Sequence, residues 1–258
     1  MTNSPLLDHP HREPSAFRPA DLLQAVREQR GAGRGPLPPA GVLDFDGDLT
    51  DALIRADEVR RCDDWACFHT EMWLWPKAEP RCGIVARTIG GAYTVLIAEQ
   101  MAACGMHAVV GLASAGRLGR GLPLPGVVVA SEAVRDEGTS LHYLPPAETV
   151  ASDAGLADLL TESVEPIGLP VRRGLVWTTD APYRETSTQI ERWATRGALA
   201  VEMQAASLFA FGEACRVRTG LVAHVTNAVD HEGEPFAKGP DDADRRILAA
   251  IVEAVSRL

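Results

Sequence analysis

The chain has 258 residues, 46% hydrophobic and 5% aromatic, enough for one substantial α/β domain or two small ones. A formal charge of −10 and a pI near 5.2 exclude a general attraction to nucleic acid or to an anionic membrane. Five scattered cysteines (62, 67, 82, 104 and 215) match neither a disulfide framework nor a zinc pattern, and no apolar run approaches the ~20 residues that span a bilayer; a soluble, cytoplasmic protein with reduced thiols is expected.

Residues 1–40 are rich in Pro, Gly and Arg and read as a partly flexible N-terminal extension, with one short amphipathic piece at 19–29. Residues 41–258 read as the folded domain. A strand is predicted at 41–45, a helix at 49–56, and a further strand over 65–75 from its alternation. A strand at 83–88, a Gly90-Gly91 turn, a helix at 93–104 and a strand at 107–112 follow. Then come a strand at 127–134, helices at 153–168 and 186–196 flanking a strand at 171–178, and a last helix at 242–258. Strand and helix alternate throughout, which indicates an α/β fold around a mixed, mostly parallel central sheet flanked by helices.

The densest polar signals fall where strands stop. The apolar run 198–201 ends in Glu202-Met203-Gln204, a helix is predicted to about residue 215, and a second apolar strand, 221–225, closes on Thr226-Asn227. Strand ends of this kind are where open α/β sheets place their ligands. His224, inside that strand, reads as a buried, hydrogen-bonded core histidine. A different signal lies at 43–50, LDFDGDLT, close to the DxDGT loop of haloacid dehalogenase-type phosphatases, in which Asp44 would be nucleophile and Asp46 acid. Asp48 stands where that loop carries Thr, and no suitable Lys and acidic metal motif follow. An Asp-Gly turn after a first strand is the simpler reading, with the phosphatase a remote alternative.

An ordered set of segments runs from about residue 41 to the C-terminus: TIGGAY, ASAG, VRDEGTSLHYLPP, WTTDAPYRET, AVEMQAAS and HVTN. In order and spacing it resembles the nucleoside phosphorylase superfamily of purine and uridine phosphorylase type. The resemblance implies a single α/β domain that cleaves the N-ribosyl bond of a nucleoside or modified nucleoside, by phosphate or by water. It implies no metal or organic cofactor, phosphate as a possible co-substrate, and a homo-oligomer, either dimers or trimers of dimers.

The same resemblance implies roles for individual residues. Glu202 and Asn227 are the catalytic candidates, Met203 and Gln204 the sugar site, and Thr179, Tyr183 and His142 further substrate contacts. His69 is placed near a neighbour's sugar. Gln204 replaces a family Glu, so it offers one accepting oxygen and two donors but no charge. Asn227 stands where purine enzymes often carry Asp and suits a carbonyl-bearing base. Gly91 at a helix start, Ser114 and Arg87 are the candidates for phosphate or attacking water. The family's three anion-binding arginines align near Asp51, Gly111 and Phe68 or His69, none of which is Arg. A nucleosidase and a catalytically weak nucleoside-binding protein are therefore the alternatives.

Overall fold

The computed structural model describes residues 4–119, 121–229 and 242–258. Helix α1 (Pro19–Arg30) leads to strand β1 (Ala40–Asp44) and helix α2 (Asp48–Arg55). Strands β2 (Arg60–Arg61), β3 (Trp73–Trp75) and β4 (Cys82–Ala86) precede helix α3 (Gly91–Ala103). The long strands β5 (Ala108–Arg117) and β6 (Gly126–Asp136) come next, then β7 (Thr149–Ala151) and helix α4 (Ala154–Val164). Strand β8 (Val171–Thr179), helix α5 (Ser187–Thr195) and strand β9 (Ala200–Glu202) lead to helix α6 (Ala205–Cys215), strand β10 (Arg218–Ala228) and helix α7 (Ala243–Ser256).

The strands make one mixed sheet. β1 lies between β4 and β5, parallel to both, and all five of its residues are buried. Its sequence AGVLD shows no alternation because helices cover both faces. β5 is also parallel to β10 along its length, and at its C-terminal end it pairs antiparallel with β9. β10 continues to β6, β6 to β8, and β8 to β9, so these five strands close a ring. β1, β4, β3 and β2 extend from it as an open wing.

Alternation along the strands sorts side chains between two cores. Leu43, Val109 and Ala113 join the cluster that α3 and α6 cover with Val95, Ile97, Phe209 and Phe211. Val42, Val110 and Leu112 join the opposite cluster, under Leu53 of α2, Leu160 of α4 and Ile251 of α7. Helix α6 is buried on every side from Ala205 to Gly212, which accounts for a helix apolar all round. Asp153 caps α4 by accepting from Leu156 N at 2.7 Å, and Thr186 with Gln189 forms a capping box on α5.

Two expectations change. The strand predicted over 65–75 is a loop that becomes strand only at Trp73–Trp75. Its alternation came from loop side chains that are themselves buried, Trp65 and Cys67 in the main core and Ala66 beneath Leu23 and Val26 of α1. The strand predicted at 107–112 runs on to Arg117, because β5 exchanges β1 for β9 as its neighbour instead of stopping. Ser114 is thus a strand residue, paired in register with His224.

Candidate active site

Four chain segments converge where the ring meets the wing. The turn after β1 contributes Phe45 and Asp46, and the outer half of β5 contributes Ser114. The β9–α6 junction contributes Glu202, Met203 and Gln204, and the end of β10 contributes Asn227. Together with Ile89, Tyr183, Glu185 and Val229 they line a cavity of about 490 Å³, a size suited to a small organic ligand. Six of the residues that the sequence marks for a nucleoside or its acceptor share this one space: Ser114, Tyr183, Glu202, Met203, Gln204 and Asn227.

Glu202 is 4% exposed, and its carboxylate organises the start of α6. Oε2 accepts from Gln204 N at 2.6 Å and Ala205 N at 2.8 Å, and Oε1 accepts from Thr178 Oγ1 at 2.5 Å. Burial nevertheless pushes the carboxyl up to about 7, against the lowering effect of those donors. Gln204 is also buried; its Oε1 accepts from Met203 N at 3.1 Å, so the amide is turned along the β9–α6 junction. Tyr183 stands fully exposed at the mouth.

The remaining candidates lie elsewhere. Thr179 is buried behind the wall, accepting from Ala181 N at 3.3 Å. His142 packs its ring on His9 at 4.1 Å in the N-terminal segment, where burial and that neighbour lower its pKa. Gly91 is a packing residue: a Cβ there would lie 2.1 Å from Ser207 Oγ, so α3 and α6 meet only because the position is bare. Arg87 bonds to Asp51 and lies across Gly47, where a Cβ would come within 2.8 Å of its Cγ. None of these four lines the cavity. His69 lines a separate cavity of about 460 Å³ between α1 and the 61–71 loop.

The acidic loop after β1 behaves as a turn. Asp44, 4% exposed, accepts from Gly47 N at 3.2 Å, Thr50 N at 2.8 Å and Thr50 Oγ1 at 2.7 Å, closing the turn onto α2. Both oxygens of the phosphatase-type nucleophile are thus engaged in local structure. Asp46, by contrast, accepts from Ser114 Oγ and lines the main cavity. Glu185, which carries no role in the sequence reading, also lines the cavity, and burial raises its carboxyl. Nothing in the local sequence marks Glu185, whereas Asp46 was visible but assigned to another chemistry. Among the described residues no group of three or more His, Cys, Asp or Glu is placed to hold a metal ion.

The sequence profile of the family described as the phosphorylase superfamily matches residues 68–257. The chain belongs to that superfamily. Uridine phosphorylase of Salmonella typhimurium is 25% identical over 206 residues, 74% of this chain and 81% of that protein. Guanosine phosphorylase of Halorubrum lacusprofundi is 26% identical over 172 residues, 64% of this chain and 71% of the relative. A crystal structure of uridine phosphorylase from Vibrio fischeri superposes with a TM-score of 0.74 at 18% identity, covering 88% of this chain and 95% of that one. The single α/β domain with a mixed sheet flanked by helices is the fold of that uridine phosphorylase. No helix among the described residues is long and apolar enough to cross a membrane.

Proposed function

We propose that the chain cleaves the N-ribosyl bond of a nucleoside in the cavity at the ends of β5, β9 and β10, as a nucleoside phosphorylase-like pentosyltransferase. The observation that carries this reading is the convergence of Met203, Gln204, Asn227 and Ser114 on one space in a chain of this superfamily. Catalysis requires that the sugar be held while positive charge develops at its anomeric carbon, that the departing base be stabilised, and that a nucleophile wait on the other face.

In this proposal Met203 packs on the ribose and the Gln204 amide bonds its hydroxyls. Asn227 donates to and accepts from a carbonyl-bearing base, with Tyr183 closing over it at the mouth. Buried Glu202 holds the β9–α6 junction in place, so the sugar site is rigid where the chemistry needs it. The acceptor, inorganic phosphate or water, arrives beside Ser114. No organic cofactor takes part. A homo-oligomer, tested by light scattering, belongs to the same proposal.

The test is release of free base from a panel of purine and pyrimidine nucleosides by the purified protein, with and without phosphate. Cleavage of at least one nucleoside, reduced about tenfold or more in kcat/KM by Gln204→Ala, supports the reading. No base released under either condition contradicts it.

A further inference from the structure

Behind the nucleoside cavity lies a smaller one of about 70 Å³ that shares two wall residues with it, Asp46 and Ser114. Asp44, Asp48, Thr226 and His224 contribute the rest of its polar wall, and Asp244 closes it from α7. His224 is 5% exposed and its Nδ1 lies 2.8 Å from Asp244 Oδ1. Its other nitrogen, Nε2, is buried with no hydrogen-bond partner among the described residues. Burial of an unpaired ring nitrogen is unfavourable, so such a group points to a ligand or water as its partner.

In the tautomer whose Nδ1–H donates to Asp244, the uncharged imidazole of His224 presents a lone pair at Nε2, an acceptor and a base. The wall around it suits a neutral hydroxylic molecule better than an anion. No Arg or Lys is among the described residues lining either cavity, while three carboxylates between the end of β1 and the start of α2, Asp44, Asp46 and Asp48, line the smaller one. Burial and the charge of Asp46 already push Asp44 upward, so added negative charge is disfavoured there.

Resting on the N-ribosyl reading above, we infer that the small cavity seats the attacking water, with His224 as its general base, Asp244 as the positioning residue, and Asp46 with Ser114 as the second anchor. The water oxygen bonds to the anomeric carbon as the carbon–nitrogen bond breaks. Its proton passes to Nε2, and the electron pair of the broken bond leaves on the base. The base takes a proton from solvent and His224 returns one, so nucleoside and water become free pentose and free base. Water then takes the place of phosphate as the acceptor in N-ribosyl cleavage by this chain.

The experiment follows wild-type protein with a cleavable nucleoside in phosphate-free ¹⁸O-water, then with added phosphate. The expected product is free pentose carrying ¹⁸O, at a rate that phosphate does not raise. His224→Gln should lower kcat about a hundredfold with KM within about twofold. Asp244→Asn should lower kcat less, with Asp244→Glu restoring part of it. Pentose 1-phosphate as the product, or a rate abolished by chelator and restored by magnesium, overturns the inference while leaving N-ribosyl cleavage intact. Release of no base at all overturns both. An unchanged kcat in His224→Gln overturns His224 as the general base; if that variant does not fold, Asp244→Asn carries the same test, with an unchanged kcat overturning the dyad's role.

Discussion

Thr178 donates its hydroxyl to Glu202 Oε1 at 2.5 Å while its oxygen accepts from Ala206 N at 3.0 Å, so one side chain joins β8, β9 and the first turn of α6. The cavity's rear wall is held by this relay. Its carboxylate is raised to about 7 by burial, which makes it a measurable link between the site and stability. The folded protein retains a proton on Glu202 that the unfolded chain releases at lower pH. The resulting stabilisation is complete below the ordinary carboxylate pKa and is lost as pH rises toward and through 7. Urea unfolding at pH 5 to 8 should show stability falling with pH by at most about 1.4 kcal/mol per unit from this group. Glu202→Gln should flatten that slope, and equal slopes in the two proteins would show that the group titrates normally.

Gln204 should govern sugar binding through its amide. Gln204→Glu adds charge to bonds that the pentose hydroxyls donate. An increase of about tenfold in kcat/KM for ribonucleosides is expected from steady-state kinetics. A loss of the same size would mean that the extra charge next to Glu202 outweighs the stronger bonds.

Gly91 tests packing against anion binding. Ser207 is fixed by donating to Glu137, whose carboxylate also accepts from Ser140 N at 2.9 Å, so it has little room to retreat from an added Cβ. Gly91→Ala should destabilise by about 1–3 kcal/mol, with Ser207→Gly restoring much of the loss in a double-mutant cycle. A variant of unchanged stability whose activity responds differently to phosphate would return Gly91 to the anion site.

Asp44 is a structural residue in this account. Asp44→Ala leaves Gly47 N, Thr50 N and Thr50 Oγ1 without their acceptor and should cost about 2–3 kcal/mol in chemical denaturation. Magnesium-dependent release of phosphate from phosphate esters should be absent in the wild type. Its presence, with sensitivity to Asp44→Asn, would revive the phosphatase chemistry that the local sequence resembles.

The parts of the fold legible in sequence were those whose burial pattern is local. β1, α3, α6 and β10 are legible because each carries a dense apolar signature. The 65–75 loop misled because Trp65 and Cys67 are buried without being paired, and burial is what alternation measures. β5 was cut short at its polar residues, since nothing in SAGR reveals that β9 will arrive to pair with Gly116 and Arg117. The site followed the same division. Met203, Gln204 and Asn227 stand out by their position at strand ends, and they line one cavity. Asp46 and Glu185 meet them only through tertiary closure. The His224–Asp244 dyad joins side chains twenty residues apart on different elements, and a histidine in an apolar strand gives no local sign that one nitrogen lacks a partner among the described residues.

The claim on which the account turns is that a nucleoside occupies the space between Gln204 and Asn227. Diffraction from crystals of the protein soaked with a non-cleavable nucleoside analogue addresses it most directly. Pentose density is expected against Met203 with hydroxyls in hydrogen-bond reach of the Gln204 amide, and the base beside Asn227 and Tyr183. An analogue bound instead in the cavity by α1, or side chains of Gln204 and Asn227 facing separate spaces, would contradict it.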